Sequence, residues 1–176
     1  EEEWIGIYQD QKDYAVCFGV EPEIWQKAED NQYVPETSLT ETEIRMPGGH
    51  LTIAQLIALL NTIPMEITFV DVDNINRFFN EGPKDFKRPG MAIDREVFSC
   101  HPPKIEATVR RIIGEFRAGA LDEVPIWMDK NGKCMLVRYM AVRDKEGKYL
   151  GTLELVQDMG FAKEYFQPEK RQDEIW

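Results

Sequence analysis

The first strongly patterned stretch of the chain is a helix that carries its own start and stop signals. Thr52 and Gln55 have the spacing of a capping box, which favours a helix beginning at this point. The pattern predicts a helix over 52–63, and Pro64 ends it. Its apolar positions form an arc wider than one core contact requires: Ile53, Leu56, Ile57, Leu59, Leu60 and Ile63. We therefore expect the helix to contact both its own domain and a partner.

After Pro64 the apolar period changes to two, which is typical of strands. The runs MEITFVD (65–71) and INRFF (75–79) predict a hairpin. Two turn sequences, DKNGK and DKEGK, join three further extended runs into a predicted antiparallel meander. These runs are EVPIWMD (123–129), CMLVRYMAVRD (134–144) and KYLGTLELVQD (148–158). Pro125 cannot donate to a ladder, so the first of the three is predicted to be an edge strand.

The strand over 134–144 carries large apolar residues on both of its faces. Leu136 and Met140 alternate with Val137 and Tyr139. Both faces of the sheet are therefore expected to be covered, one of them by the helix over 52–63 or by a second subunit.

Helical spacing returns between the hairpin and the meander. A short helix is predicted over 93–99 and a long one over 104–118, and Gly119 ends the long helix. The apolar stripe of the long helix consists of Ile105, Val109, Ile112, Ile113 and Phe116. His101 and the two prolines after it separate the helices, because a residue that precedes proline avoids the α region.

The chain before 50 has weaker patterns. A weak helical stripe covers 1–14, a short strand is predicted over 14–20, and the polar segment over 21–49 has the composition of a linker. A domain boundary near Gly49 follows. The chain does not begin with Met, so we expect the natural protein to continue upstream.

Composition narrows the class of protein. With 176 residues, of which 43% are hydrophobic, the chain can bury one sizeable core. A net charge of −11 is expected to exclude nucleic acid and anionic lipid as partners. Cys17, Cys100 and Cys134 have no CxxC spacing, and no apolar run reaches the roughly 18 residues of a membrane span. We therefore expect a cytoplasmic protein with no membrane contact.

The stretch FSCHPPK places a thiol beside an imidazole. The structural interpretation is that Cys100 is a small buried hydrophobe and that His101 bonds backbone groups near the start of a helix. No phosphate loop, nucleophile elbow or paired-carboxylate motif accompanies them. We therefore expect no catalysis by this chain.

Four segments together resemble a known family. LTIAQLIALLNTIPMEITFVD (51–71), FFNEG (78–82), REVFSCHPPK (95–104) and VRYMAVRDKEGKYLGTLELVQD (137–158) resemble the PAS domain at the carboxyl end of the DUF438 proteins. The segments HPPK and GKYLGTLE are the most specific parts. The resemblance implies an α+β fold with a five-stranded antiparallel sheet, helices over one face and an N-terminal flanking helix.

The resemblance also implies a domain organisation and partners. Residues 1–46 are expected to be an extension from an upstream hemerythrin-like domain, 47–160 the PAS domain and 161–176 a C-terminal tail. Many PAS domains dimerise through the helix before the first strand, so a homodimer through 52–63 is expected. The ligand is expected to be a small apolar or acidic molecule.

Three hypotheses for function remain open. The first is a PAS-type sensory, ligand-binding or interaction module in a signalling or regulatory protein, without chemistry of its own. The second is a haem-binding sensor with His101 as axial ligand, and the third is a thiol redox sensor that uses Cys100. The cofactor is open: haem or flavin would suit the family, and none is the expectation. The predicted ligand-binding residues are Phe79, Phe98, His101, Ile105, Val109, Ile112 and Tyr139.

Overall fold

The computed structural model of the protein describes residues 41–82, 84–86, 92–101 and 103–166. The elements in chain order are β1 (Glu43–Met46), β2 (Gly49–Thr52), α1 (Ile53–Thr62), β3 (Glu66–Asp71), β4 (Asn76–Phe79), a 3-10 turn (Val97–Cys100), α2 (Pro103–Ala118), β5 (Glu123–Lys130), β6 (Lys133–Arg143), β7 (Tyr149–Asp158) and α3 (Gly160–Tyr165). The elements predicted over 1–14 and 14–20, and the part of the predicted tail beyond 166, lie outside the described residues.

Five strands form one antiparallel sheet in the order β4-β3-β7-β6-β5. This order confirms the predicted hairpin and meander and places Pro125 on an edge strand, as expected. The conformation of the β5–β6 turn follows directly from its sequence. Lys130 pairs with Lys133, so Asn131 and Gly132 are the two central turn residues, with φ angles of 54° and 80°. These left-handed values are those of the tight hairpin turn that an Asn-Gly pair favours.

Helix α2 lies over one face of the sheet and closes the core. Strand alternation brings Val70, Val137 and Val156 to this face, where they are 4%, 3% and 2% exposed. From the helix, Ile112 and Phe116 are 2% and 0% exposed. Apolar burial on this face supplies the main driving force for folding. The packing of α2 on the five-stranded sheet confirms the predicted α+β architecture with helices over one face.

The segment before α2 is less helical than predicted. The helix expected over 93–99 is instead a 3-10 turn limited to Val97–Cys100. The preceding chain bonds to the neighbourhood of β4, since Asp94 N–H donates to the carbonyl of Asn76 (2.8 Å) and Val97 N–H to that of Asn74 (2.8 Å). Backbone groups committed to these bonds cannot form a regular helix over the same residues.

Helix α1 begins as predicted but packs differently. The Thr52 side chain accepts from the N–H of Gln55 (3.2 Å), and the Gln55 side chain accepts from the N–H of Thr52 (2.9 Å), which completes the capping box. The helix buries none of its side chains, and Ile57 and Leu59 are 45% and 49% exposed. Of the two alternatives for covering a face of the sheet, the helix over 52–63 is therefore wrong, because α1 contacts chiefly its neighbour β2.

A small hairpin precedes α1 where a linker was predicted. Residues Glu43–Met46 and Gly49–Thr52 pair as an antiparallel ribbon, with Ile44 opposite Leu51. The linker interpretation is therefore wrong for this end of the segment. Proline, glycine and charge suggested an irregular chain, but Pro-Gly also suits the turn between two strands.

The opposite face of the sheet is only partly covered in the described residues. Leu136 and Met140 are half-buried there, and Trp127 is 54% exposed. The expectation that both faces are covered therefore does not hold for the part of the chain that the structure describes. Alternation identified the two faces correctly but could not show what lies over each of them.

Candidate functional site

A row of polar residues crosses the centre of the sheet on the face below α2. Glu154 lies on the central strand β7, and its Cα partners are Thr68 on β3 and Tyr139 on β6. Two pairs along the ladder, Thr152 lies opposite Val70. Because side chains two residues apart share a face, Thr152 and Glu154 face α2 together with Val156. The core is therefore interrupted by polar groups at its centre.

The helical side of this region is apolar. Val109, Ile112 and Ile113 have the spacing of one helix face and project toward the sheet, and they are 4%, 2% and 4% exposed. The carboxyl end of α2 is fixed by Arg117, which donates to the carbonyl of Val72 (2.8 Å) and to Oδ1 of Asn74 (2.9 Å). These bonds tie the end of the helix to the β3–β4 turn.

A cavity of about 20 Å³ lies between α2 and the polar row. A cavity of this size holds about one water molecule. Its lining comes from α2, from the 3-10 turn with the residue after it, and from strands β3, β6 and β7: Val70, Val97, His101, Val109, Ile112, Ile113, Tyr139, Thr152 and Glu154. The surface of the cavity is thus almost wholly apolar, although four residues of the lining, His101, Tyr139, Thr152 and Glu154, carry polar groups.

His101 is positioned by the 3-10 turn that precedes it. Its Nδ1 lies 2.8 Å from the carbonyl oxygen of Val97, and the ring is half-buried. A carbonyl oxygen only accepts, so Nδ1 carries the hydrogen, and in the neutral ring Nε2 is then an acceptor. The expected role of His101, bonding a backbone group near the start of the helix, is what the geometry shows.

Four of the seven predicted site residues line this cavity: His101, Val109, Ile112 and Tyr139. Phe98 and Ile105 do not line it; both are 5% exposed within the core cluster that includes Val70 and Val109. Phe79 lies on β4, where the ammonium of Lys84 is 5.5 Å from its ring centroid. The ligand-binding role of the seven stays a prediction, whereas their placement divides them into lining, core and edge positions.

Five lining residues were missed: Val70, Val97, Ile113, Thr152 and Glu154. Ile113 could have been predicted as a lining residue, because it lies next to Ile112 on the apolar stripe of the long helix. Thr152 and Glu154 share the parity of Val156, so strand alternation could have placed them on one face. No local signal shows which strand lies at the centre of the sheet, and that topology is what brings Glu154 under α2.

Ion pairs fix the β3–β4 turn next to the site. Oδ1 of Asp71 accepts from the N–H groups of Asp73 (2.9 Å) and Ile75 (3.0 Å), and Arg77 bridges Asp71 and Asp94. Burial raises the pKa of the Asp71 carboxyl, but the bonds from Ile75, Arg77 and Asp73 outweigh burial and hold that pKa below its usual range. The hydrogen bonds to Asp71 and Asp94 raise the pKa of Arg77.

The haem and flavin alternatives can be tested against the cavity. A volume of about 20 Å³ does not fit a haem macrocycle or a flavin ring system in this conformation, so no step is assigned to either group. Among the described residues, no cluster of three or more His, Cys, Asp or Glu side chains is placed to hold a metal ion. The side chain of Cys100 lies outside the described part of the structure, so the thiol hypothesis stays untested.

The family follows from comparison with known domains. The family model for the PAS domain matches residues 56–160, which is more than half of the chain. The chain belongs to the PAS domain family. The match covers α1 from Leu56 onward, the whole five-stranded sheet and α2, and therefore includes every residue that lines the cavity. A search of curated proteins finds no match to this PAS domain.

The chain is also similar to several solved structures. The crystal structure of a C-terminal domain from Streptococcus mutans is 36% identical, with a TM-score of 0.67, over 70% of this chain and 98% of that one. A PAS domain from Colwellia psychrerythraea is 15% identical, with a TM-score of 0.43, over 60% of this chain and 95% of that one. The VqmA–ligand–DNA complex of Vibrio cholerae is 21% identical, with a TM-score of 0.46, over 62% of this chain and 52% of that one.

The predicted partners need correction. Acidic composition was expected to exclude nucleic acid, yet a receptor in complex with DNA is among the structures that match this PAS domain, so that exclusion is wrong. The same correction applies to the other predicted partners: the upstream hemerythrin-like domain, the homodimer through 52–63 and the acidic ligand. Within the described residues, the helices are too short or too polar to cross a membrane.

Proposed function

We propose that this PAS domain is a sensory or interaction module that binds a small molecule between α2 and the sheet, as part of a cytosolic signalling or regulatory protein. The observation that carries the proposal is the cavity, which lies where the three inner strands meet the middle of α2. Domains of this family generally sense or interact rather than catalyse. The proposal therefore assigns no reaction to the chain.

The small size of the cavity suggests how binding would produce a signal. A volume of about 20 Å³ cannot hold a ligand larger than a few atoms, so a ligand must displace neighbouring groups as it enters. Arg117 ties the carboxyl end of α2 to the β3–β4 turn, whereas the amino end follows directly after the turn that holds His101. We infer that the amino-terminal half of α2 moves, and that the ligand shifts the balance between the two positions of the helix.

The proposal also includes the subfamily of this PAS domain and the boundaries of the domain. The segments HPPK (101–104) and GKYLGTLE (147–154) support placing this PAS domain within the DUF438 type by resemblance. The boundaries at 46/47 and 160/161 remain the proposed limits of the domain. The hairpin of β1 and β2 straddles the first of them.

The test is a matched pair of valine substitutions. Val109→Ile adds one methylene beside the cavity, whereas Val156→Ile adds the same group at a buried position, 2% exposed, that is not part of the lining. We expect a set of small-molecule fragments to shift amide NMR signals of the lining residues in the wild type. Val109→Ile should weaken these shifts, because the added group occupies the space that a ligand needs.

Thermal unfolding provides the control. Val109→Ile should leave stability nearly unchanged, whereas Val156→Ile should cost about 1–3 kcal/mol from overpacking. The proposal fails when no fragment shifts a lining residue, or when Val109→Ile binds the fragments as the wild type does. Turnover of any substrate that is lost in His101→Ala or Cys100→Ser would contradict the absence of catalysis.

A further inference from the structure

Two buried charged side chains lie at one end of the sheet, on strands that are not neighbours. Glu66 begins β3 and is 7% exposed, and Lys130 ends β5 and is 4% exposed. The antiparallel order places the beginning of β3 and the end of β5 at the same end of the sheet. Buried charges are kept only where other groups compensate them. Residues 84–86, which we refer to as the strap, supply such groups to both side chains.

Both charges bind the same peptide unit of the strap. The carbonyl of Asp85 accepts from Nζ of Lys130, and the N–H of Phe86 donates to Oε1 of Glu66 (3.1 Å). The N–H of Asp85 donates to the same carboxylate oxygen (2.5 Å). The ammonium of Lys130 also lies 3.6 Å from the centroid of the Phe86 ring, which is a cation–π contact. The bound group is therefore an amide with a benzene ring two carbons from its nitrogen.

The side chain of Phe86 fills space in the region of the cavity. It is 3% exposed and belongs to the same buried cluster as Ile112 and Tyr139, which both line the cavity. The strap itself is irregular, and the N–H groups of Asp85 and Phe86 donate to a side chain rather than to a strand. Displacement of the strap therefore opens the space of one aromatic ring and leaves the strand ladders in place.

We propose that the strap is an internal occupant of the ligand site, and that the ligand is a neutral aromatic amide that replaces it. This inference rests on the proposed function and names the ligand class of the same site. The amide of the ligand takes the place of the Asp85–Phe86 peptide unit between Glu66 and Lys130, and its ring takes the place of the Phe86 ring. Glu66 and Lys130 are hydrogen-bonded by the strap before binding and by the ligand afterwards, so the exchange leaves neither charge uncompensated.

The strap has one further contact that such a ligand does not reproduce. Nζ of Lys133 lies 2.6 Å from Oδ1 of Asp85, and the two side chains are 49% and 30% exposed. This ion pair stabilises the strap in its place but makes no contribution to the bound ligand. Weakening the pair raises the fraction of molecules in which the strap is displaced, and the apparent affinity for the ligand rises by the same factor. For a pair this exposed we expect a factor of about two to five.

Three probes of similar shape test the ligand class: N-phenethylacetamide, phenethyl acetate and N-(cyclohexylethyl)acetamide. The first reproduces the peptide unit and ring of the strap, the second has an ester oxygen instead of the N–H, and the third has a saturated ring. NMR titration of backbone amides measures their affinities for the wild type. We expect N-phenethylacetamide to bind about tenfold or more tightly than the ester, because the ester offers Glu66 no donor. The saturated ring should cost a fewfold in affinity, since it removes the cation–π contact with Lys130.

Hydrogen exchange shows whether the strap leaves its place. Saturating N-phenethylacetamide should speed exchange of the amides of Asp85 and Phe86, because the ligand takes over their acceptor Glu66. Asp85→Asn should bind N-phenethylacetamide about two- to fivefold more tightly than the wild type does. Asp73→Asn is the matched control, since it removes one charge from the exposed β3–β4 turn, and its affinity should equal that of the wild type.

The outcomes separate this inference from the proposed function. Absence of binding by N-phenethylacetamide up to its solubility limit overturns the inference, and so does an ester that binds as tightly. It is also overturned when binding leaves exchange at Asp85 and Phe86 unchanged, or when Asp85→Asn binds no more tightly than Asp73→Asn. In each case the proposed function stands as long as other fragments shift the lining residues. The wild-type comparison of amide and ester decides the inference even where Asp85→Asn fails to fold.

Discussion

At the scale of single residues, Gly151 shows how closely β7 and β3 approach each other. A Cβ atom built on Gly151 would lie 2.2 Å from the carbonyl oxygen of Val70 and 2.9 Å from the ring of Phe69. Val70 also lines the cavity, so a side chain at position 151 would clash with a residue that forms the cavity wall. Glycine is therefore required here because two backbones meet.

Alanine at this position is expected to be strongly destabilising. Gly151→Ala should lower the free energy of unfolding by about 3 kcal/mol or more, because the atom in conflict is backbone and cannot turn aside. Gly114→Ala in α2 is the control, since nothing lies within 4 Å of its added Cβ. That substitution should stabilise the helix by about 0.5–1 kcal/mol. Chemical denaturation measures both, and equal effects of the two would contradict this account.

Asp71 gives the β3–β4 turn a dependence on pH. Its pKa is lower in the folded protein than in the unfolded chain, where it is about 3.9. The contribution of the carboxylate to stability is therefore fully present above about pH 4 and is lost as pH falls through the folded value. Asp71→Asn should be less stable than the wild type at neutral pH, and the difference should shrink below about pH 4.

The measurement is unfolding by denaturant at a series of pH values. Asp73→Asn is the control for removing one charge from the same turn. A difference between wild type and Asp71→Asn that stays constant from pH 7 to pH 2.5 would show that the hydrogen bonds of Asp71 do not favour its charged form.

At the scale of elements, α1 and α2 contrast in how they are held. Helix α2 has a stripe of side chains in the core, including Phe116 at 0% exposed, whereas α1 buries none. A helix of ten residues is marginal without tertiary packing, so α1 depends on its ends. The capping box stabilises the amino end. Near the carboxyl end, the side chain of Asn80 donates to the carbonyl of Leu60 (3.2 Å).

Removal of the cap should therefore have a local effect. Thr52→Ala deletes the acceptor for the N–H of Gln55 and should destabilise α1 by about 1 kcal/mol. We expect faster amide hydrogen exchange within α1 and a global unfolding midpoint close to that of the wild type. Thr42→Ala, at an exposed position before the hairpin, should change neither quantity. A fall in the global midpoint for Thr52→Ala alone would show that α1 belongs to the cooperative core.

At the scale of the whole molecule, the sequence predicted what short-range rules determine. Three features follow from a few neighbouring residues and were predicted from the sequence: the capping box of α1, the Asn131–Gly132 turn and the edge position of Pro125. Which surface α1 contacts, and which strand lies under α2, depend on pairings between distant segments. For this reason Glu154 was missed although its own strand was predicted correctly.

The edges of the sheet bear on how the protein behaves at high concentration. A sheet with open edges can recruit strands from other molecules and grow into aggregates. Here one edge strand, β4, has four residues, and the other, β5, carries Pro125, which has no N–H to offer to an incoming strand. Pro125→Thr should therefore leave the fold intact but shorten the lag time of aggregation in a thioflavin assay, whereas Pro64→Thr, outside the sheet, should not. The proline that marks β5 as an edge strand would then also oppose fibril growth.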